Sequence, residues 1–117
     1  MEPIVIKRIY EDASENDGYR ILVDRIWPRG VSKEEAKLDE WDKNIAPSTE
    51  LRKWFDHKEE RLHEFEIRYK EELADQKEEL NRLLKIAQTQ KVTLLYGAKD
   101  PKINQALVLK NILNQIV

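Results

Sequence analysis

The chain has 117 residues, a length that fits a single domain (1–117) with its own core. Charged residues make up 38% of it, yet 21 basic and 23 acidic side chains leave a net charge of -2, which argues against broad attraction to nucleic acid. The lack of cysteine excludes disulfides and thiolate chemistry, and no apolar run approaches the ~18 residues that span a bilayer. Together with the absence of a signal-peptide pattern, this predicts a cytoplasmic protein with no membrane partner.

Three apolar segments predict strands. Residues 4–10 are rich in β-branched side chains, and the charges of Lys7 and Arg8 suit a strand at the edge of a sheet. Residues 21–23 and 92–96 are uninterrupted apolar runs, which are typical of strands buried on both faces. We therefore expect the second and third strands to be central.

The long segment between the two central strands has the periodicity of helices. A glutamate three positions later predicts a helix N-terminus at Ser32, at Asp56 and at Asp75. Ser48 follows a proline and precedes an apolar stripe, which predicts another N-terminus there. Apolar residues recur every three or four positions at Leu51, Trp54, Phe55, Leu62, Phe65, Tyr69, Leu73, Leu80, Leu83, Leu84 and Ala87. Such stripes must pack on another element.

A final helix is predicted over residues 103–117, with Asp100 as its N-cap and Pro101 at its first helical position. Two buried strands joined by a helical crossover run parallel. The element order therefore predicts an α/β fold: one small domain with a short, mainly parallel sheet covered by helices and a helical lobe inserted in the long crossover.

Two short stretches are basic within this acidic chain. Residues 20–33 carry four basic side chains against Asp24 alone, and residues 91–117 carry four lysines against Asp100 alone. Each stretch includes the end of a central strand and the loop after it. Parallel strands end at the same edge of a sheet, so we expect the two loops to lie at one edge. Ligands of open α/β sheets bind at that edge.

These loops predict a cleft that binds a small anion with a phosphate or carboxylate group. Arginine forks suit such groups, and backbone amides near residues 102 and 103 at the start of the last helix add further donors. The alternative is structural. In it, Trp27 belongs to the core and Asp24 forms a buried ion pair with Arg25 or Arg29. The expected ligand-binding residues are Asp24, Arg25, Trp27, Arg29, Lys99, Asp100 and Asn104.

Whether the protein is an enzyme stays open at this point. Asp24 and His57 are the candidates for a general base or nucleophile. His57 and His63 are six residues apart, a spacing that does not align two metal ligands on one helix face, and no glycine-rich phosphate loop occurs. No metal or cofactor is therefore expected.

A second basic and aromatic cluster lies at Arg52, Lys53 and Trp54. In one interpretation these side chains stack on a base or a sugar. In the other, Leu51, Trp54 and Phe55 belong to the core, and Arg52 and Lys53 are solvated. Arg52 then has the freedom to fold back over the cleft at the strand ends.

Several motifs together resemble a known family. They are the stretches 17–20, 22–25, 27–30, 46–48, 51–55, 93–96 and 98–100, with Asn104 and Ala106. With them the chain resembles the YeaO-like family of bacterial proteins, a domain-of-unknown-function family, over essentially its whole length. The resemblance implies a compact cytoplasmic α/β protein and no particular reaction.

Two other functions are open on the sequence alone. In the first, residues 32–55 form a helix-turn-helix-like reader in a nucleic-acid-binding or regulatory module. The acidic face of residues 56–90, or the apolar last helix, would instead serve a protein-interaction module, with a homodimer as one form of it.

Overall fold

A sheet of four strands runs through the structure, a computed structural model that describes residues 2–116. The strands are β1 (Ile4–Arg8), β2 (Tyr19–Leu22), β3 (Glu40–Trp41) and β4 (Val92–Tyr96). Their order is β1-β4-β2-β3, and all three neighbouring pairs are parallel. The predicted parallel sheet is confirmed, with β1 at an edge and the two apolar runs in the centre.

The strands differ from the prediction in three places. β2 begins before the predicted apolar run, at Tyr19, and ends at Leu22. β1 ends at Arg8, and Ile9 and Tyr10 belong to a turn. β3 was not predicted, because its two residues pair with β2 without forming an apolar run. It lies inside the crossover that the sequence indicated as helical.

Five helices cover the sheet and fill most of the crossover. They are α1 (Lys33–Ala36), α2 (Thr49–Phe55), α3 (Leu62–Leu73), α4 (Lys77–Ala87) and α5 (Gln105–Ile116). The predicted caps of α1 and α2 are confirmed, since the Oγ of Ser32 accepts from the Glu35 N–H and the Oγ of Ser48 accepts from the Leu51 N–H. Between residues 2 and 116, no helix is both long and apolar enough to cross a membrane.

Two predicted helix N-termini are wrong. Asp56 ends α2 instead of starting a helix: it adopts a left-handed conformation with φ 48°, and its N–H bonds to the carbonyl of Arg52. Asp75 lies within a 3₁₀ turn, Ala74–Gln76, and α4 begins after it at Lys77. Both aspartates have a glutamate three residues later, so the sequence signal alone did not reveal which turn it served.

The start of the last helix is also corrected, from Pro101 to Gln105. The Oδ1 of Asp100 accepts from the N–H groups of Lys102 and Ile103, which holds these residues in a local turn. The Oδ1 of Asn104 accepts from the Leu107 N–H and thus occupies the capping role. Met1 and Val117, where the predicted helix ends, lie outside the described residues.

The alternation of side chains along the central strands divides the core between the two faces of the sheet. Ile21, Leu94 and Tyr96 belong to the main core, together with buried residues of α2, α3, α4 and α5. Leu22 and Leu95 point to a smaller cluster on the opposite face, closed by Ala36 of α1 and by loop residues. Both central strands are therefore covered on both faces, which explains their unbroken apolar sequence.

Candidate functional site

A pocket of about 210 Å³ lies at the carboxyl ends of β2 and β4. Its residues come from the loops after both strands, from the segment around α2 and from the first position of α5. They are Asp24, Arg25, Ile26, Pro47, Arg52, His57, Gly97, Ala98 and Gln105. The loops after the two central strands thus meet at one edge of the sheet, as the parallel topology predicted.

Asp24 joins the two strand ends. Its Oδ2 accepts a hydrogen bond of 2.8 Å from the N–H of Gly97, and its Oδ1 accepts one from the Nε2 of Gln105. Burial raises the pKa of Asp24 from its ordinary 3.8 to about 6, against the opposing effect of the hydrogen bonds from Gly97 and Gln105 and of the nearby basic side chains. Asp24 is therefore a carboxyl group that changes its charge close to neutral pH.

Arg25 holds the loop after β2 against the segment that precedes α2. Its Nε donates to the carbonyl of Pro47 at 2.9 Å, and its Nη2 donates to the carbonyl of Ala46 at 3.1 Å. These bonds direct two guanidinium donors to protein carbonyls. Arg25 consequently contributes positive charge to the pocket and fixes its wall.

Arg52 reaches the pocket from the middle of α2, so the sequence-based expectation that it folds over the strand ends agrees with its position. Its Nε is buried and lacks a hydrogen-bond partner among residues 2–116. Buried polar groups without a partner are uncommon and costly. Arg52 therefore brings to this pocket a buried donor that lacks a protein acceptor.

His57 is presented by an unusual backbone turn. Asp56 and His57 have φ values of 48° and 53°, so two successive residues with side chains are left-handed. Such conformations cost energy and cluster at functional sites. The turn places the exposed imidazole at the pocket and 5.8 Å from the ring of Phe55.

The charges of the pocket are not paired with one another. Arg25, Arg52, His57 and Asp24 all line it, yet none of the ion pairs found between residues 2 and 116 includes any of them. The alternative in which Asp24 pairs with an arginine of its own loop is therefore not what the structure contains. Three basic groups face one carboxyl group without forming a salt bridge.

Trp27 and Arg29 do not line the pocket. The indole of Trp27 donates to the carbonyl of Val31 at 2.7 Å and packs edge-on against Trp41, in the smaller apolar cluster. Trp27, expected among the ligand-binding residues, is therefore corrected to a residue of this cluster, which lies on the opposite face of the sheet from the main core. The side chain of Arg29 is exposed, and its carbonyl accepts from the hydroxyl of Tyr10.

The predicted residues of the second loop build the turn before α5. Lys99 and Asp100 are exposed, and the buried Asn104 donates its Nδ2–H to the carbonyl of Asp100. The amides near residue 102 bond to Asp100 and so are not free for an anion, contrary to expectation. The turn instead sets the first residue of α5, Gln105, above Asp24.

Sequence reasoning missed the apolar wall of the pocket, formed by Ile26, Pro47 and Ala98, and the two groups that bond to Asp24, Gly97 and Gln105. A Cβ at Gly97 would lie 3.1 Å from the Oδ2 of Asp24, so a glycine lets this carboxylate bond to the backbone. Gln105 is a buried amide among apolar residues at the start of α5. A polar side chain at the first turn of an apolar helix was the available signal.

A separate acidic cluster lies between β3 and α4. Ligand atoms of Glu40, Asp42 and Glu79 lie within 4.8 Å of one another. The guanidinium of Arg82 contacts all three, at 2.6, 3.2 and 3.0 Å, so its charge stands where a cation would. This arrangement explains the cluster as a charge network.

Comparisons with known proteins place the chain in a family. A model of DUF488-N3i, described as the inactive DUF488-N3 subclade, matches residues 3–117. Uncharacterized protein YeaO of Escherichia coli (strain K12) is 50% identical over 113 residues, which cover 97% of this chain and 98% of the relative. Uncharacterized protein Rv3073c of Mycobacterium tuberculosis (strain ATCC 25618 / H37Rv) is 42% identical over 109 residues, 93% of this chain and 92% of the relative.

The chain therefore belongs to the DUF488 family, within the YeaO-like group that its motifs indicated. No solved structure matches it.

Proposed function

We propose that this protein binds a small anion, with a phosphate or carboxylate group, in the pocket at the carboxyl ends of β2 and β4. The observation that carries the proposal is the set of basic groups without salt bridges: Arg25, Arg52 and His57 against Asp24 alone. Arg52 is the principal ligand, because its Nε is buried without a protein acceptor. Guanidinium groups bind phosphates and carboxylates through paired hydrogen bonds.

The charge around a larger groove favours the strand-end pocket as the anion site. A larger groove of about 450 Å³ beside the end of β1 is lined by Glu11, Asp12 and Glu35, with Lys37 as its basic residue. An anion entering that groove would meet carboxylates. The strand-end pocket offers the opposite balance, within a chain of net charge -2.

Binding without turnover is the form of the proposal that the family supports best. Asp24 and His57 lie at the pocket and have the chemistry of a general acid or base. The matching family, however, is described as an inactive subclade. We therefore propose a binding protein, located in the cytoplasm, that needs no metal or cofactor for this role.

The other two functions have less support in the geometry. Residues 32–55 contain the one-turn helix α1, the strand β3 and the seven-residue helix α2, which is not the arrangement of a helix-turn-helix reader. The apolar face of α5 is used within the domain, where Val108, Leu109 and Leu113 are buried in the main core. An anion-binding pocket remains the better supported proposal.

The test is an NMR titration of ¹⁵N-labelled protein with sulfate, inorganic phosphate and acetate at constant ionic strength. We expect the largest shift changes at the backbone amide of Gly97 and the side-chain amide of Gln105. Replacing Arg52→Gln should weaken binding at least about tenfold, since hydrogen bonds to charged groups contribute about 1.5–3 kcal/mol.

Lys53→Gln is the matched control. Lys53 is the exposed neighbour of Arg52 in the same helix, and its replacement removes one positive charge, as Arg52→Gln does. Its affinity should stay within about twofold of the unaltered protein, as expected for a solvated charge outside the pocket. Equal losses in both variants, or shift changes spread over the lysine-bearing surface, would contradict the proposal.

A further inference from the structure

Ile26 is an apolar side chain in an unusual place. It lines the strand-end pocket, yet 57% of its surface is exposed. The exposed large apolar residues of the described chain are Tyr10, Ile26, Ile67 and Ile116, and Ile26 is the most exposed of them. A single exposed apolar residue is ordinary, so the case depends on its surroundings.

The exposure of Ile26 is imposed by both of its neighbours. The guanidinium of Arg25 bonds to the carbonyls of Ala46 and Pro47, and the indole of Trp27 bonds to the carbonyl of Val31. A residue between two anchored side chains has little freedom to turn inward. The fold thus presents Ile26 at the mouth of the pocket in a fixed position.

Ile26 continues an apolar wall inside the pocket. Pro47 and Ala98 also line it, and they contribute aliphatic carbon without a charge. Arg52 and His57 provide the basic groups of the same space. The pocket therefore offers two kinds of surface to one ligand.

We propose that the ligand is an organic anion whose apolar part packs on Ile26, which makes Ile26 a specificity-determining residue. This inference rests on the proposed function and adds the class of ligand: a phosphate or carboxylate that carries a ring or a short hydrocarbon chain. The volume agrees, because a protein cavity of about 150 Å³ holds benzene and this pocket has about 210 Å³. Contact with the ligand would remove the exposed surface of Ile26 from water.

The experiment compares inorganic phosphate, methyl phosphate and phenyl phosphate by the same NMR titration. Each methylene-sized group that leaves water is worth roughly fourfold in affinity. We expect phenyl phosphate to bind at least about tenfold more tightly than inorganic phosphate, with methyl phosphate between them. Ile26→Ser should reduce that ratio at least about fivefold, because it removes the apolar contact that only the organic phosphate makes.

Two further variants make the result specific. Ile67→Ser removes another exposed isoleucine, on α3 and outside the pocket, and should leave the ratio unchanged. Ile26→Leu keeps an apolar side chain and should retain the preference for phenyl phosphate. Because Ile26 is exposed, we expect Ile26→Ser to fold, and the dispersion of its NMR spectrum checks this directly.

The outcomes separate the two proposals. If inorganic phosphate binds and phenyl phosphate has no advantage, or an advantage that Ile26→Ser does not reduce, the apolar specificity is overturned and the anion pocket stands. If none of the three phosphates binds at the pocket, the proposed function itself fails. A ratio that falls equally in Ile26→Ser and Ile67→Ser would also overturn the role of Ile26.

Discussion

Asp24 combines a structural and a chemical role in a single carboxyl group. It connects the ends of β2 and β4 through Gly97 and Gln105, and it does so without a salt bridge among residues 2–116. The backbone carbonyl of Asp24 also accepts a hydrogen bond of 2.6 Å from the indole N–H of Trp41. The burial that makes these contacts possible is the same burial that raises the pKa of the group to about 6.

We predict that anion affinity depends on the charge of Asp24. As pH rises through about 6 the carboxyl becomes negative and repels an anion on Arg52, so sulfate should bind more weakly at pH 7.5 than at pH 5. In Asp24→Asn the part of this dependence due to Asp24 should disappear, which calorimetric titration at several pH values measures. Asp42→Asn is the control, since the pKa of Asp42 is also about 6 but this residue lies outside the pocket.

The same pKa shift has a consequence for stability. The folded state holds its proton on Asp24 up to about pH 6 and the unfolded state only up to its ordinary 3.8, so the folded state binds more protons between these values. The free energy of unfolding should therefore fall as pH rises through this window, and Asp24→Asn should remove that part of the fall.

For the prediction on anion affinity, an affinity of the unaltered protein that does not change with pH would contradict the role given to Asp24.

At the scale of elements, Arg82 ties the short edge strand β3 to α4. Its guanidinium contacts Glu40 of β3, Asp42 just after it, and Glu79 on its own helix. Burial and the neighbouring Glu79 raise the pKa of Asp42 to about 6, while the hydrogen bond from Arg82 lowers the pKa of Glu79. A two-residue strand has few backbone hydrogen bonds, so this network matters for its position.

We predict that Arg82→Gln destabilises the protein more at pH 8 than at pH 5. Without the guanidinium, three carboxylates within 4.8 Å repel one another when charged, and protonation at low pH relieves the repulsion. A loss of about 1 kcal/mol at pH 8 is expected, since partial exposure of Arg82 screens the network, and urea unfolding measures it.

Lys70→Gln serves as the control for this prediction, because the Lys70–Glu66 pair is exposed and 3.7 Å long. Its effect should be below about 0.5 kcal/mol at both pH values. If Arg82→Gln costs the same at pH 5 and pH 8, repulsion among the carboxylates is not the cause.

The elements also show how far the sequence reaches. The central strands could be predicted because burial on both faces demands unbroken apolar runs, and the caps of α1 and α2 because Ser32 and Ser48 act within one turn. β3 could not, since its two residues form no apolar run and their pairing with Ile21 and Leu22 of β2 is a tertiary contact. The start of α5 was misplaced because Asp100 and Asn104 both make capping-type bonds, and only tertiary structure shows which one begins the helix.

The candidate site was predicted in outline and not in detail. Three of the candidates lie at the pocket: Asp24, Arg25 and His57. The loops after β2 and β4 meet there because parallel strands end at the same edge of the sheet. Arg29 and Lys99 carry the right charge, but their side chains extend from exposed turns outside it. Charge in a loop is visible in a sequence, whereas the direction of a side chain depends on turns such as the one that ends at Gln105.

For the whole molecule, a net charge of -2 sets what kind of anion can be held. An extended polyanion would meet the acidic residues of α3 and α4 as well as the pocket, whereas a small ligand meets the pocket alone. We predict no binding of duplex DNA at 50 mM salt by fluorescence anisotropy, under conditions where phenyl phosphate binds. Salt-dependent DNA binding with a steep slope would favour the nucleic-acid module instead.

The strand order has a consequence for how the molecule forms during synthesis. β1 and β2 each pair with β4, and β4 is made last of the four strands. A nascent chain that stops before residue 92 lacks the strand that joins its first strand to the rest of the sheet. The apolar residues of β1 and β2 therefore lack this partner until residues 92–96 are made, and contacts of such long sequence separation slow folding. Synthesis of residues 92–105 completes the sheet and, through Gly97 and Gln105, the pocket at its edge.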